Sequence, residues 1–314
     1  MNVKRSYLWK KKAVRLLGLT MLVLSMSNGT GTASVFAAEQ HSHAFQQQQQ
    51  IQQQLVSETL SVSQIPSNEA QSPAQERRHL AIVIDDFGND MEGTEEMLKL
   101  PIKFTAAVMP FMPSTQKDAE EAHRLGHDVI VHMPMEPNKG LKKWLGPGAI
   151  TADLSDDEVR KRINAAIDNV PHAIGMNNHM GSKVTADERI MRIVLDVCKQ
   201  RGLFFLDSRT TYKTVVPKVS KEVGVPLLSN DVFLDDVYTV QHISKQMNEV
   251  QKHLATHVTC VVIGHVGPPG KKTAAVLRQS IPAMNTAVSI VKLSDMVLQS
   301  FGDQLVLPNS GSDR

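Results

Sequence analysis

Three histidines, His132, His179 and His265, and a pair of aspartates, Asp85 and Asp86, each stand just past a short apolar run. Imidazole and carboxylate are the side chains that carry protons and bind metal ions near neutral pH. The aspartates open the segment Asp85-Asp86-Phe87-Gly88. The histidines sit in His132-Met133-Pro134-Met135-Glu136-Pro137, in Asn177-Asn178-His179-Met180-Gly181-Ser182 and in Gly264-His265-Val266-Gly267. Three more polar segments follow, Asp207-Ser208-Arg209-Thr210 past one apolar run and Asn230-Asp231 and Asp235-Asp236 past the next. Adjacent carboxylates cannot both ionise freely unless a cation lies between them or one takes a proton, which suits one ligand and one base. Successive strand residues point to opposite faces, so both aspartates can serve one site only where the strand breaks, as Phe87-Gly88 permits. His132 and Glu136 would share a helix face, but Pro134 and Pro137 exclude a helix there. Carboxylate and imidazole without thiolate suit Zn²⁺ with an open position, or Mn²⁺, Co²⁺ or Ni²⁺. Such a centre does hydrolytic chemistry. Phosphoryl transfer through an aspartate has no glycine-rich phosphate loop or lysine signature to support it.

The elements that must position these groups are legible as alternation. Apolar runs at Leu80 to Ile84, Phe104 to Met109, Asp128 to Val131, Ala173 to Met176, Leu203 to Leu206, Pro226 to Leu228 and Thr259 to Ile263 read as strands. Amphipathic stretches lie between them. Ser155-x-x-Glu158 reads as a capping box opening a helix with Val159, Ile163, Ile167 and Val170 on one stripe. Ile190, Ile193, Val194, Val197 and Cys198 make a second stripe. Repeated strand-helix units imply a parallel sheet, and about seven of them suit a closed or nearly closed β/α barrel, with a doubly wound open sheet as the alternative. In either, ligands bind at the carboxyl ends of the strands, where the histidines and aspartates stand. Cys198 and Cys260 fall inside apolar patterns and read as buried thiols, not a disulfide.

The first part of the chain is different material. Residues 1–37 hold six Lys or Arg and no Asp or Glu, then an apolar run and a small-residue exit. That order predicts a secretory signal and hence a secreted, extracytoplasmic protein of the cell envelope; the run is shorter than the ~20 residues of a membrane span. An uncleaved anchor is the other reading. Residues 38–78 are rich in Gln, Ser and Pro and read as a disordered linker. The domain occupies 79–305, and 306–314 is expected to be a disordered tail. The whole chain has 34 basic and 32 acidic residues. Without the six in the signal, 28 face 32, a net charge near −4, which argues against nucleic acid as a partner.

The four motifs beginning at Ile84, His132, Asn177 and Phe205, with Gly264-His265 as a fifth, resemble the divergent polysaccharide deacetylase family, a distant relative of the NodB-like polysaccharide deacetylases. The resemblance spans about residues 79 to 300. It implies a distorted barrel of about seven β/α units, a divalent metal, zinc first, and a carbohydrate substrate. It also implies roles: Asp85 as the base that takes a proton from the attacking water, Asp86 and His132 as metal ligands, and His265 as the acid that protonates the leaving amine. The family's second metal histidine would stand four residues after the first, where this chain has Glu136. The third ligand is therefore His179 or Glu136, with imidazole preferred. The family's arginine-proline motif is replaced by the asparagine-histidine run. Asn177, or the backbone after His132, is expected to hold the oxyanion, with Asp207 and Arg209 orienting the base or acid. The implied activity is metal-dependent hydrolysis of acetyl groups on cell-envelope carbohydrate, at a carbon-nitrogen bond other than a peptide bond. The alternative is a catalytically silent, metal-stabilised protein that binds glycan or a partner. Aromatic residues are only 4% of the chain, which argues against a long sugar-stacking groove; Trp144 and Phe111 are the two candidates for stacking on a sugar, with a place in the core the equal alternative for each.

Overall fold

A computed structural model of the chain describes residues 77–140, 144–284 and 288–302. The expected signal, the linker up to residue 76 and the tail from 306 lie outside the described residues; Arg78, the last residue of the expected linker, already belongs to the first strand. Among the described residues nine strands form one sheet: β1 Arg78–Phe87, β2 Thr105–Val108, β3 Asp128–Met135, β4 Ala173–Met180, β5 Phe204–Asp207, β6 Leu227–Ser229, β7 Val232–Phe233, β8 Thr259–His265 and β9 Val288–Val291. Eight α-helices of the described residues alternate with them: α1 Thr94–Leu98, α2 Thr115–Arg124, α3 Asp156–Asn169, α4 Glu188–Gln200, α5 Val216–Val223, α6 Val240–Thr256, α7 Gly270–Met284 and α8 Leu293–Phe301.

The strand order is β6-β5-β4-β3-β2-β1-β8-β7 and every pairing is parallel. β8 lies along β1 from His79 to Asp85, while β2 and β9 divide β1's remaining pairings, Val83–Phe87 and Arg78–Ala81. The path ends at β6 and β7, which are consecutive on the chain: residues 227–233 pair first with β5 and then with β8, and Asn230 N and Asp231 N donate to the Asp207 and Val261 carbonyls at 2.9 and 2.8 Å, so this one segment bridges the barrel's last gap. All seven expected runs are strands. The two additions, β7 and β9, are two and four residues long. Runs that short carry no periodicity to read.

Alternation along the strands divides the core in two. Leu80, Ile82 and Ile84 face the helices, with Val129, Val131, Cys260 and Val262. Ala81, Val83, Ile130, Leu206, Val261 and Ile263 face inward and pack against Leu293, Met296 and Val297 of α8. That helix therefore plugs the amino end of the barrel. Its first turn is held there by Asp128 at the start of β3, which accepts from Ser294 N at 2.9 Å and pairs with Lys292 at 3.0 Å. Ser155 caps α3 by accepting from Glu158 N at 3.3 Å, but Glu158 pairs with Arg162, so only half of the expected capping box forms. Both cysteines are buried and free.

Candidate active site

The inward parity of each strand continues past its apolar residues into polar ones. Ala81 and Val83 are followed by Asp85, Ile130 by His132, and Val261 and Ile263 by His265. Gly175, Asn177 and His179 share one face of β4, and a Cβ at Gly175 would lie 2.6 Å from the inward Phe204 ring. The same rule would turn Asp86 away. It is overridden by a bulge: Ile84 pairs with Ala106 and Phe87 with Val108, three steps on β1 against two on β2. Asp86 takes a left-handed backbone, φ 71°. A non-glycine residue held there is strained, and such strain gathers at functional sites. The bulge delivers both aspartates to one place.

Three donor atoms then form a near-equilateral triangle. His132 Nε2 is 3.3 Å from Asp86 Oδ1, His179 Nδ1 is 3.0 Å from it, and the two nitrogens are 3.1 Å apart. The other ring nitrogens are occupied. His132 Nδ1 donates to Asn177 Oδ1 at 2.7 Å, and His179 Nε2 donates to the Trp144 carbonyl at 3.2 Å. These partners accept only, so they fix the tautomers and leave lone pairs on the nitrogens facing Asp86. Accordingly Asp86 Oδ1 is buried and receives no hydrogen bond. Two nitrogen lone pairs and an anionic oxygen at this separation repel unless a cation stands among them. Three donors bound to one tetrahedral ion at ~2.0–2.2 Å lie roughly 3.3–3.6 Å apart, close to the triangle observed. The residues fit a divalent metal ion.

The third corner is thus His179. Glu136 is drawn away: its Oε2 accepts from Ala152 N at 2.8 Å and its Oε1 pairs with Lys183 at 2.9 Å. The Ala152 amide and Lys183 hold its carboxyl below the ordinary range.

Two proton carriers flank the triangle. Burial pushes the Asp85 carboxyl up from its usual value, and His132 and His265 only partly offset it. Asp85 Oδ1 accepts from Asn177 Nδ2 at 2.9 Å. Asn177 thus ties the aspartate to His132, and its amide is not free to hold an oxyanion as expected. On the neighbouring strand, His265 Nδ1 donates to Asp235 Oδ1 at 2.7 Å. Asp235 Oδ2 accepts from His265 N at 2.9 Å and from Thr273 Oγ1 at 2.6 Å. Burial works against the imidazolium, but Asp235, Asp86 and Asp85 outweigh it and raise His265 to about 9.

Asp207 and Arg209 do not reach these groups. Asp207 alternates with the inward Leu206, and its carboxylate accepts from Arg209 N at 2.8 Å and Thr214 Oγ1 at 2.8 Å. It shapes its own loop, and Arg209 is exposed. Ser208, one step on, does line the site. Asp235 is the residue the sequence reading noted without giving it a role. Its signal was a carboxylate just past Val232-Phe233, a strand too short to recognise.

The cavity at these residues measures about 310 Å³. Tyr238, Phe233, Pro268 and Pro269 give it apolar walls. Phe111 is not among the residues lining it; its ring packs on Gly148. Trp144 lies at its edge, contributing its carbonyl while its side chain is largely exposed. A larger surface groove of about 1070 Å³, beside α1 and α2, holds none of the titratable groups described above.

Known proteins share this sequence pattern and this fold. The sequence profile of the divergent polysaccharide deacetylases matches residues 82–297. The chain is 34% identical over 217 residues to an uncharacterized protein of Haemophilus influenzae, spanning 69% of this chain and 76% of that one. It is 34% identical over 218 residues to the uncharacterized protein YibQ of Escherichia coli K12, spanning 69% and 67%. An uncharacterized protein of Agrobacterium tumefaciens C58 has a crystal structure of the same fold, with a TM-score of 0.66 and 20% identity over 71% of this chain and 90% of that one.

Proposed function

The chain belongs to the divergent polysaccharide deacetylase family, and from that premise we propose that it is a metal-dependent hydrolase removing acetyl groups from a cell-envelope carbohydrate. The observation that carries the proposal is the triangle of Asp86 Oδ1, His132 Nε2 and His179 Nδ1, with a buried oxygen that no hydrogen bond satisfies. A zinc ion suits two imidazoles and a carboxylate with one position open, and Mn²⁺, Co²⁺ or Ni²⁺ can take the same ligands. When bound there, the ion supplies Lewis acidity to a carbonyl and to water.

The chain's own groups divide the proton work. Asp85, its pKa raised by burial, accepts a proton from the water that attacks the acetyl carbon. His265 keeps its proton up to about pH 9 and gives it from Nε2 to the leaving nitrogen as the carbon-nitrogen bond breaks. Acetate and an amine result. Asp235 holds the ring so that Nε2 is the nitrogen left free. Asn177 orients Asp85 and His132 together. Tyr238 and Phe233 offer apolar faces to a sugar ring. Export is part of the same reading and rests on the basic and apolar character of residues 1–37.

The test is acetate release by the zinc-loaded chain from N-acetylated chitooligosaccharides and peptidoglycan fragments. Release should stop with a chelator and return with Zn²⁺. Absence of release from every substrate, with a chelator lowering Tm, would instead leave a metal-stabilised binding protein.

A further inference from the structure

Where the chain crosses from β5 to β8 the barrel has its own cluster of metal-ligating side chains, at the opposite end of β8 from His265. Cys260 is the second residue of β8 and is fully buried. Asp231 is the second of the two residues that link β6, paired with β5, to β7, paired with β8. It is pinned beside Cys260: Asp231 N donates to the Val261 carbonyl at 2.8 Å, and Asp231 Oδ2 accepts from Val261 N at 2.9 Å. His253 comes from the last turn of α6, with Nε2 3.9 Å from Asp231 Oδ2. Its ring stacks on His257, centroids 4.1 Å apart and planes 16° apart. Among the described residues, neither ring nitrogen of His253 and no part of the Cys260 thiol makes a hydrogen bond. One donor atom from each of Asp231, His253 and Cys260 lies within 4.8 Å of the others. β8 rises ~3.3 Å per residue, so this cluster is roughly 16 Å from His265.

We propose that Asp231, His253 and Cys260 form a second metal site, for a thiophilic divalent cation of the zinc class, which fastens the segment that crosses from β5 to β8. The donor set is chemically distinct from the first triangle, because it includes sulfur. Thiolate, imidazole and carboxylate together select zinc-like ions over magnesium or calcium. On binding, the Cys260 S–H bond breaks, its proton goes to solvent, and sulfur bonds the ion. One thiolate and one carboxylate then balance the two positive charges, so the buried sulfur carries no uncompensated charge. The fourth position is left to water. Closing the three donors to tetrahedral spacing takes side-chain movements of about 1 Å. The site ties α6 and β8 to the link between β6 and β7, where one short segment alone joins the two ends of the sheet path. It requires nothing of the first centre and stands or falls independently of the hydrolase reading.

Cobalt reports on it selectively. The first triangle has no sulfur, so a thiolate-to-Co²⁺ charge-transfer band in the near ultraviolet can come only from a cysteine. Titrating the full chain with Co²⁺ should fill two sites and develop this band. The band should survive Asp86→Asn, with one ion lost, and vanish in Cys260→Ser. His253→Gln, a change on the half-exposed last turn of α6, covers the case in which the buried serine variant fails to fold. It should lower the affinity of the band-forming site roughly tenfold or more. A single bound Co²⁺ without the band would overturn the proposal. So would a band that persists in Cys260→Ser or is unmoved by His253→Gln, since the sulfur would then be Cys198 or the histidine would be no ligand.

Discussion

Asn177 links two parts of the candidate site. One amide side chain donates to Asp85 and accepts from His132, so it sets the orientation of the proposed base and the tautomer of a proposed ligand at once. Partners of this kind typically contribute 10–100-fold to metal affinity. Asn177→Ala should therefore weaken Zn²⁺ binding by roughly that factor and cost about 1–3 kcal/mol of stability, because two buried groups lose their partner. Calorimetric titration and denaturant unfolding measure the two effects. Glu136→Gln should leave Zn²⁺ affinity unchanged, since its carboxylate serves Ala152 and Lys183. His265 makes a pH prediction. Its folded pKa, about 9, lies above the ordinary 6.5. A raised folded pKa means the folded state holds the proton more tightly, so this stability is fully present below about 6.5 and is lost as pH rises through about 9. Unfolding of the metal-free protein between those values should lose up to ~3 kcal/mol, the equivalent of the shift. His265→Gln should flatten that slope, and a slope unchanged by it would refute the assignment.

Among the elements, the ends of the apolar runs carried most of what the sequence disclosed, and strand parity and its departures account for what it hid. Asp85, His132, His179 and His265 stand past those runs and on the inward faces of their strands. Asp207 stands at a strand end in the sequence exactly as they do, yet it follows the inward Leu206 and so faces away. Parity within Phe204–Asp207 contained that answer, but position at a strand end alone did not. Asp86 is the reverse case, brought inward only because the bulge and a left-handed backbone overrule alternation. A glycine two residues on hinted at a break without showing its direction. Asp235 was hidden because the two residues of β7 are too few for any pattern. Glu136 kept its place as a candidate until tertiary partners from α3's approach and the loop after β4 engaged it. Packing of β4 on β5 gives a test at this scale. A Cβ at Gly175 would sit 2.6 Å from the Phe204 ring, with no flexible chain end to yield. Gly175→Ala should cost about 1–3 kcal/mol, read as a lowered denaturation midpoint.

Over the whole molecule, the plugged amino end and the open carboxyl end divide labour. α8 seals the inner core beneath the strands, so the inner faces are free to turn polar only near their carboxyl ends. Barrel sites are built at that end because loops there can vary without disturbing the core. The family and the fold were legible from the order of the motifs; the switch of residues 227–233 from β5 to β8 was not, since it depends on which strands they meet. Proton transfer at one rim of this barrel is the central claim, and the rate of acetate release tests it most directly. The measurement is the initial rate from an N-acetylated oligosaccharide for the zinc-loaded wild type, Asp85→Asn and Glu136→Gln. The wild type and Glu136→Gln should release acetate at similar rates, with Asp85→Asn slower by roughly 10²–10⁴-fold. Equal rates for the wild type and Asp85→Asn would contradict the account.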